Sequence, residues 1–413
     1  MVRTRAATSV PLVSTEQAAR MVLATAGLAT PRVRSSAAQV ARVVKRLGYV
    51  QVDSILAVER AHDTILRTRL EGYRGEHLRH AMERDRAMFE HWTHDASLVP
   101  IEWLPFWHRR FKRSKARMKE NAWWRERAGE DGDRVLRRVF RAIERRGPLR
   151  TRDLVDPSTS PAARPEAAAS SGAWWNWSPE KAAVEWLWRM GRVAISQRHG
   201  FEKSYDLFER VHPEHALPAA RAADHREWAC SEALMRLGVA TEREIARFFN
   251  DCSVAEVQAW SRTRAARALA MPVLRERADG GPPEPALALR TIMDCPPDAP
   301  QGIRILSPFD PVVRDRQRLE RVWGFAFRFE AFVPEAKRID GYYTLPVLAD
   351  DRFIGRCALR TDRAGDRLVL ERWRSERATG ALPRPVRAAL QQFAQEIGVS
   401  EVAFRAPRRT LRA

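Results

Sequence analysis

The chain is poor in sulfur and has no long apolar run. Its four cysteines, Cys230, Cys252, Cys295 and Cys357, stand far apart and make no CxxC pair, which argues against a structural zinc site and against a disulfide framework. No apolar stretch approaches the roughly 18 to 20 residues needed to span a bilayer, so a membrane partner is not expected. The N-terminus, Met1-Val2-Arg3-Thr4-Arg5, runs into Ala, Ser and Thr without a sustained apolar core. No signal peptide is expected, and the location expected is cytoplasmic and nucleoid-associated. There is also no cluster of carboxylates suited to a pair of catalytic metal ions, and neither metal nor other cofactor is predicted.

What the chain has in excess is positive charge. Among 413 residues, Lys and Arg number 72 against 52 Asp and Glu, a net charge of +20, which favours a polyanionic partner, nucleic acid first. An anionic membrane surface fits the sign of the charge, and a GC-rich genome would raise Arg and Ala without any function. The charge is nevertheless concentrated: residues 109–152 hold 17 Lys and Arg against six Asp and Glu. Trp103, Trp107, Trp123 and Trp124 are interleaved with the start of this run, as on a surface that meets phosphates with cations and offers flat rings beside them. Arg109, Arg110, Lys112, Arg113 and Lys115 are the candidate phosphate contacts, the alternative being a solvated helical face over core tryptophans.

The length suggests two to four compact units. Residues 1–130 read as a first helical module, with helical spacing over 16–26, 37–47 and 55–70 and a strand-like step at 49–52. Residues 131–222 read as a second module: an amphipathic helix, a Gly147-Pro148 turn, a Ser- and Pro-rich loop over 156–172, a helix started by Ser178-Pro179, and a hairpin around Arg198-His199-Gly200-Phe201. That order of helices and hairpin is a winged helix, whose wing offers Arg192, Arg198, His199 and Lys203 to phosphates. Residues 223–277 repeat the theme with Thr241 as a cap. The Gly- and Pro-rich stretch 278–302 reads as linker. From residue 303 the period changes to two, over 325–332, 341–348, 352–359 and 367–373, so 303–413 reads as a β-rich domain closed by a helix over 383–397. The fold class expected is mainly α with β (α+β): three tandem winged-helix modules plus a β-rich C-terminal domain.

Within the first module, Tyr49-Val50-Gln51-Val52-Asp53-Ser54-Ile55 sets two polar side chains in an apolar run. If it is extended, Gln51 and Asp53 project on one side and Val50 and Val52 on the other. The alternative is that Asp53 or Ser54 simply caps the next helix. Further on, Glu90-His91-Trp92-Thr93-His94-Asp95 places His91, His94 and Asp95 within about one helical turn. With no further ligand signalled, packing or hydrogen bonding is expected of these histidines in preference to metal binding.

Taken in order, several segments resemble the bacterial winged-helix DNA glycosylases of the AlkZ and YcaQ type. They are Gln51-Val52-Asp53, Glu90-His91-Trp92-Thr93-His94-Asp95-Ala96, Trp174-Trp175-Asn176-Trp177-Ser178-Pro179, Phe309-Asp310-Pro311, Pro334-Glu335-Ala336-Lys337-Arg338 and Gly341-Tyr342-Tyr343. The resemblance implies three tandem winged helices, a partner in duplex DNA with alkylated bases or interstrand crosslinks, and Gln51 and Asp53 as catalytic residues. Asp at the third position of the signature is similar to the YcaQ-type branch. His94 is a further catalytic candidate and His91 a DNA-contact candidate; a monomer is expected. The chemistry suits these residues. As the base departs, the deoxyribose becomes positive, and an anion beneath it stabilises the transition state more than the ground state. The rival reading is a non-catalytic winged-helix DNA-binding protein or regulator, because this fold does not by itself specify chemistry.

Overall fold

The computed structural model describes residues 10–118, 120–128, 131–155, 178–376 and 380–404. The 156–172 loop, Trp174-Trp175-Asn176-Trp177 and the side chain of Trp123 lie outside the described residues. The chain divides into two compact units, Met1–His77 with Arg226–Ala413, and Leu78–His225.

The first unit opens with helices Thr15–Thr25 and Ala37–Leu47, started by Ser14 and Ser36, whose side chains accept from the amides of Gln17 and Gln39. An oxygen at this position satisfies an amide that the first helical turn leaves without a partner. Gly48 ends the second helix at φ 85°, and a Cβ there would lie 3.1 Å from the Arg236 side chain. The short strand Val50–Gln51 follows and then, in place of the helix expected from residue 55, an irregular stretch to Arg60 before helix Ala61–Arg67. The reason is local. The Asp53 carboxylate accepts from the Ile55 amide at 2.8 Å, a turn that competes with helix, and the carbonyls of Ala57 and Val58 are taken by Thr361.

Later in this unit, helices Ala222–Leu237, Glu242–Phe249 and Val254–Ser261 appear as the spacing predicts, Thr241 and Glu244 forming a capping box. The stretch read as linker is otherwise: Glu284–Leu289 is a strand set between Ala270–Arg275 and Val239–Ala240. Its sequence, Glu-Pro-Ala-Leu-Ala-Leu, lacks the β-branched and aromatic residues that announce a strand. The C-terminal part is a five-stranded sheet in the order Ile303–Ile305, Thr344–Ala349, Arg352–Asp362, Arg367–Ser375, Glu401–Phe404. Helix Arg384–Glu396 supplies Val386, Leu390 and Phe393 to the same core as Tyr343, Leu345, Leu359 and Leu368. Residues 325–332 are no strand: Phe325 and Phe327 are buried and Ala326 and Arg328 exposed, so the alternation is real, but no ladder forms.

The second unit holds hairpin Met88–Trp92/Ala96–Pro100 and helices Leu104–Met118, Gly132–Arg146 and Pro179–Arg189. It also holds a sheet in the order Leu149–Arg150, Glu202–Leu207, Val193–His199. Val139 and Ile143 of one helix meet Val184, Leu187 and Trp188 of the other over Ile195 and Tyr205. The helical spacing expected for His91, His94 and Asp95 is thus corrected: Met88–Trp92 is an aromatic-rich strand. The Thr93–Asp95 turn is closed by the Thr93 amide on the Asp95 carbonyl and by the Ala96 amide on the Asp95 carboxylate. Among the described residues, no helix is long and apolar enough to cross a membrane.

Candidate active site

Gln51 and Asp53 sit at the exit of the Val50–Gln51 strand. Gln51 is 6% exposed, and among the described residues its side-chain amide has no recorded hydrogen-bond partner within the protein. Asp53 is half-buried, so its carboxylate stands at the rim of the same stretch, with the Ile55 amide fixing one oxygen. Asp53 therefore caps a turn, not a helix. A near-buried amide with spare donors and an acceptor, two residues from an oriented carboxylate, is a set that can hold and polarise one water molecule.

The stretch that carries Asp53 is bound to the C-terminal sheet. Val58 is buried in that sheet's core, with Ile55 and Ala57 packed against it. Thr361 donates its amide to the Ala57 carbonyl at 2.9 Å and its hydroxyl to the Val58 carbonyl at 3.1 Å. Next along, the buried Glu59 carboxylate receives a fork of bonds from Arg67, the shortest 2.9 Å. Burial pushes the Glu59 carboxyl up, with Arg67 working against it. Tyr343, buried in that core, has its phenol pKa pushed up by burial and then by the charges of Asp53 and Glu59.

Two buried carboxylates act as staples. Arg69 grips Asp310 through two bonds of 2.7 and 3.0 Å, both side chains buried. Asp310 also accepts from the Val312 amide ahead of Pro311–Arg314. Glu330 gathers the amides of Ile339 and Asp340, each at 2.8 Å, and so shapes the turn into Gly341-Tyr342-Tyr343.

The second unit holds the remaining site candidates, and two of them, His91 and Arg110, are corrected by their burial. His91 is fully buried, with Trp107 donating to its Nδ1 at 2.9 Å and its Nε2 3.2 Å from the Trp188 carbonyl; it is a core residue and no DNA contact. Burial, with the charges of Arg110 and Arg189 adding to it, lowers its pKa to about 3, so the ring is neutral. Arg110 is 5% exposed and donates to the carbonyls of Trp92 and Thr93. Arg198 forks onto Glu90 with bonds from 2.6 Å, and Lys203 lies 3.8 Å from Glu90 and 3.7 Å from Glu185. Arg109, Lys112, Lys115, Arg192 and His199 are exposed, and Arg113 and His94 half-buried. Gln51 and Asp53 belong to the first unit and His94 to the second.

Thr361 and the Glu59–Arg67 pair gave no sequence signal, since Thr361 is some three hundred positions from the carbonyls it holds. Tyr343 is legible only as part of the Gly341-Tyr342-Tyr343 segment, which by itself signals no role.

The solved structure of the Streptomyces sahachiroi DNA glycosylase AlkZ is similar at a TM-score of 0.62, covering 95% of this chain and 99% of that one at 17% identity, a likeness of fold. The DNA glycosylase AlkZ-like family matches residues 44–398, and the chain belongs to that family. DNA is accordingly its substrate and base release its class of reaction.

Proposed function

We propose that this protein hydrolyses the N-glycosidic bond of N7-alkylguanine-type bases in duplex DNA and unhooks interstrand crosslinks of the same chemistry. The observation that carries the reading is the half-buried Asp53 carboxylate, oriented by the Ile55 amide, two residues along the chain from the near-buried Gln51. Asp53 stabilises the positive charge that grows on the deoxyribose and accepts a proton from the attacking water; Gln51 orients that water. An N7-alkylated guanine already carries positive charge and leaves without strong acid assistance. A water nucleophile makes the enzyme monofunctional, leaving an abasic site with no lysine adduct.

The order helix, strand, helix, helix, hairpin over residues 132–207 supports a winged helix there. The analogous order over 222–289, with its own hairpin, supports another. We carry three such modules, over 1–130, 131–222 and 223–277, with the β-rich domain at 303–413, as part of the proposal. His94 is a supporting catalytic group, and Arg109, Lys112, Arg113, Lys115, Arg192 and His199 are DNA contacts in it. The protein acts as a monomer in the cytoplasm.

The test is incubation with duplex DNA carrying one N7-alkylguanine, or one nitrogen-mustard crosslink, in EDTA. Free base is expected, with no DNA adduct trapped by borohydride. Tight binding without base release would favour a non-catalytic DNA-binding protein, and a trapped lysine adduct would remove the monofunctional mechanism.

A further inference from the structure

The later half of the basic run 109–152 carries a row of arginines that lies outside the predicted wing and beyond the candidate contacts Arg109 to Lys115. Helix Gly132–Arg146 presents Arg134, Arg137, Arg138, Arg141 and Arg145 to solvent. At 100° per residue these five share about 100° of arc, and they span about 16 Å of helix. Val139 and Ile143, buried in the unit's core, occupy the opposite side, so the row points straight out. Spaced three and four apart, these cations repel one another along the helix. Two have carboxylates: Arg138 pairs with Glu180, and Arg134 lies 3.8 Å from Asp131. Among the described residues no carboxylate partner is recorded for Arg137, Arg141 or Arg145.

The rest of the unit narrows what this row is for. Helix Pro179–Arg189, in the position a winged helix ordinarily uses to enter the major groove, is buried from Ala182 through Trp188. Its side chains are core and cannot read base edges. In the adjoining hairpin, Arg198 and Lys203 are held by Glu90 and Glu185. On the first helix of the module, by contrast, Arg137, Arg141 and Arg145 are exposed together on one face.

We propose that the Arg134–Arg145 face is a docking surface for the phosphate backbone of duplex DNA, engaged without regard to sequence; this deepens the glycosylase reading and rests on it. Duplex DNA presents about one charge per 1.7 Å of axis, so a row of this length meets several phosphates at once. Such a contact lets an enzyme that must find rare damaged bases hold and move along any sequence.

The experiment is fluorescence anisotropy with undamaged duplex DNA over a salt series, on the full chain and on the triple variant Arg137→Gln/Arg141→Gln/Arg145→Gln. Glutamine keeps the helix propensity, and circular dichroism with a melting curve confirms that the variant is folded. Loss of three phosphate contacts is expected to reduce the slope of log K against log salt by about 2.7, which at physiological salt is a loss of affinity of tens to a hundredfold. A folded variant whose slope and duplex affinity stay within about twofold overturns the proposal. Base release by the wild-type chain is read separately, so an inactive wild type with an intact arginine effect removes the glycosylase reading and leaves the docking surface standing.

Discussion

The Asp53 carboxylate accepts a hydrogen bond from the Ile55 amide at 2.8 Å. That bond separates two roles, charge and shape, which different substitutions divide. Asparagine keeps an acceptor for the Ile55 amide and removes the charge; alanine removes both. Asp53→Ala should therefore cost about 1 kcal/mol of stability and Asp53→Asn markedly less, as measured by urea unfolding, while both lose most base release. Equal loss of stability in the two would mean that the turn does not depend on this bond.

Thr361 holds the Asp53 stretch through the Val58 carbonyl at 3.1 Å. Thr361→Val keeps the shape and the amide bond to Ala57 but leaves that carbonyl without its donor, at a cost of about 1–3 kcal/mol. As a positioning residue it should lower kcat by about tenfold with KM for DNA nearly unchanged, and Thr361→Ser should restore the rate. A drop in stability with kcat intact would make Thr361 a purely structural residue.

The Glu90 side chain is fully buried and Arg198 is its main partner. Breaking a buried pair by removing one member typically costs about 3–5 kcal/mol. Arg198→Met is expected to lower the melting temperature sharply while the folded fraction binds DNA as the wild type does. A variant of unchanged stability that binds DNA weakly would return Arg198 to the list of phosphate contacts.

His91 and His212 both have their pKa lowered to about 3, chiefly by burial, with Arg110 and Arg189 adding to it for His91 and Arg86 and His215 for His212. In the unfolded chain each titrates near 6.5. Unfolding then takes up protons below that value, so the stability these residues contribute is complete above about pH 6.5 and is lost as pH falls from there toward 3, by about 1.4 kcal/mol per pH unit for each. Urea unfolding between pH 7.5 and 4.5 should show this slope, and His212→Gln should reduce it by about one proton. An unaltered slope would show that His212 is protonated in the folded state.

Much of the fold is legible where local chemistry decides it. Ser14, Ser36, Thr241 and Ser178 announce their helices by capping, and Val386, Leu390 and Phe393 announce the closing helix by spacing. What is not legible is decided by distant partners. Residues 55–70 have apolar spacing that fits one helix, but Thr361 takes the Ala57 and Val58 carbonyls that its first turn would need. Glu284–Leu289 has weak strand chemistry and becomes a strand because two neighbours pair with it. The stretch around His91 reads as helix in the spacing of His91, His94 and Asp95, and Met88–Trp92 reads as strand only once its aromatics are weighed. At the candidate site, the local pair Gln51 and Asp53 is readable in seven residues, whereas the groups that fix the stretch following it, Thr361 on the Ala57 and Val58 carbonyls and Arg67 on Glu59, are contributed by the fold. The same limit applies to cations: Arg198 and Lys203 look free in a predicted wing, and only the structure reveals Glu90 beneath them.

The account turns on the charge of Asp53. Its most direct test is single-turnover release of N7-methylguanine from duplex DNA by Asp53→Asn, at enzyme concentrations that saturate the substrate, beside the wild type. Removing one such electrostatic group should slow release by about a hundredfold or more, with DNA affinity within about twofold of wild type. A variant that releases the base as fast as the wild type would contradict it.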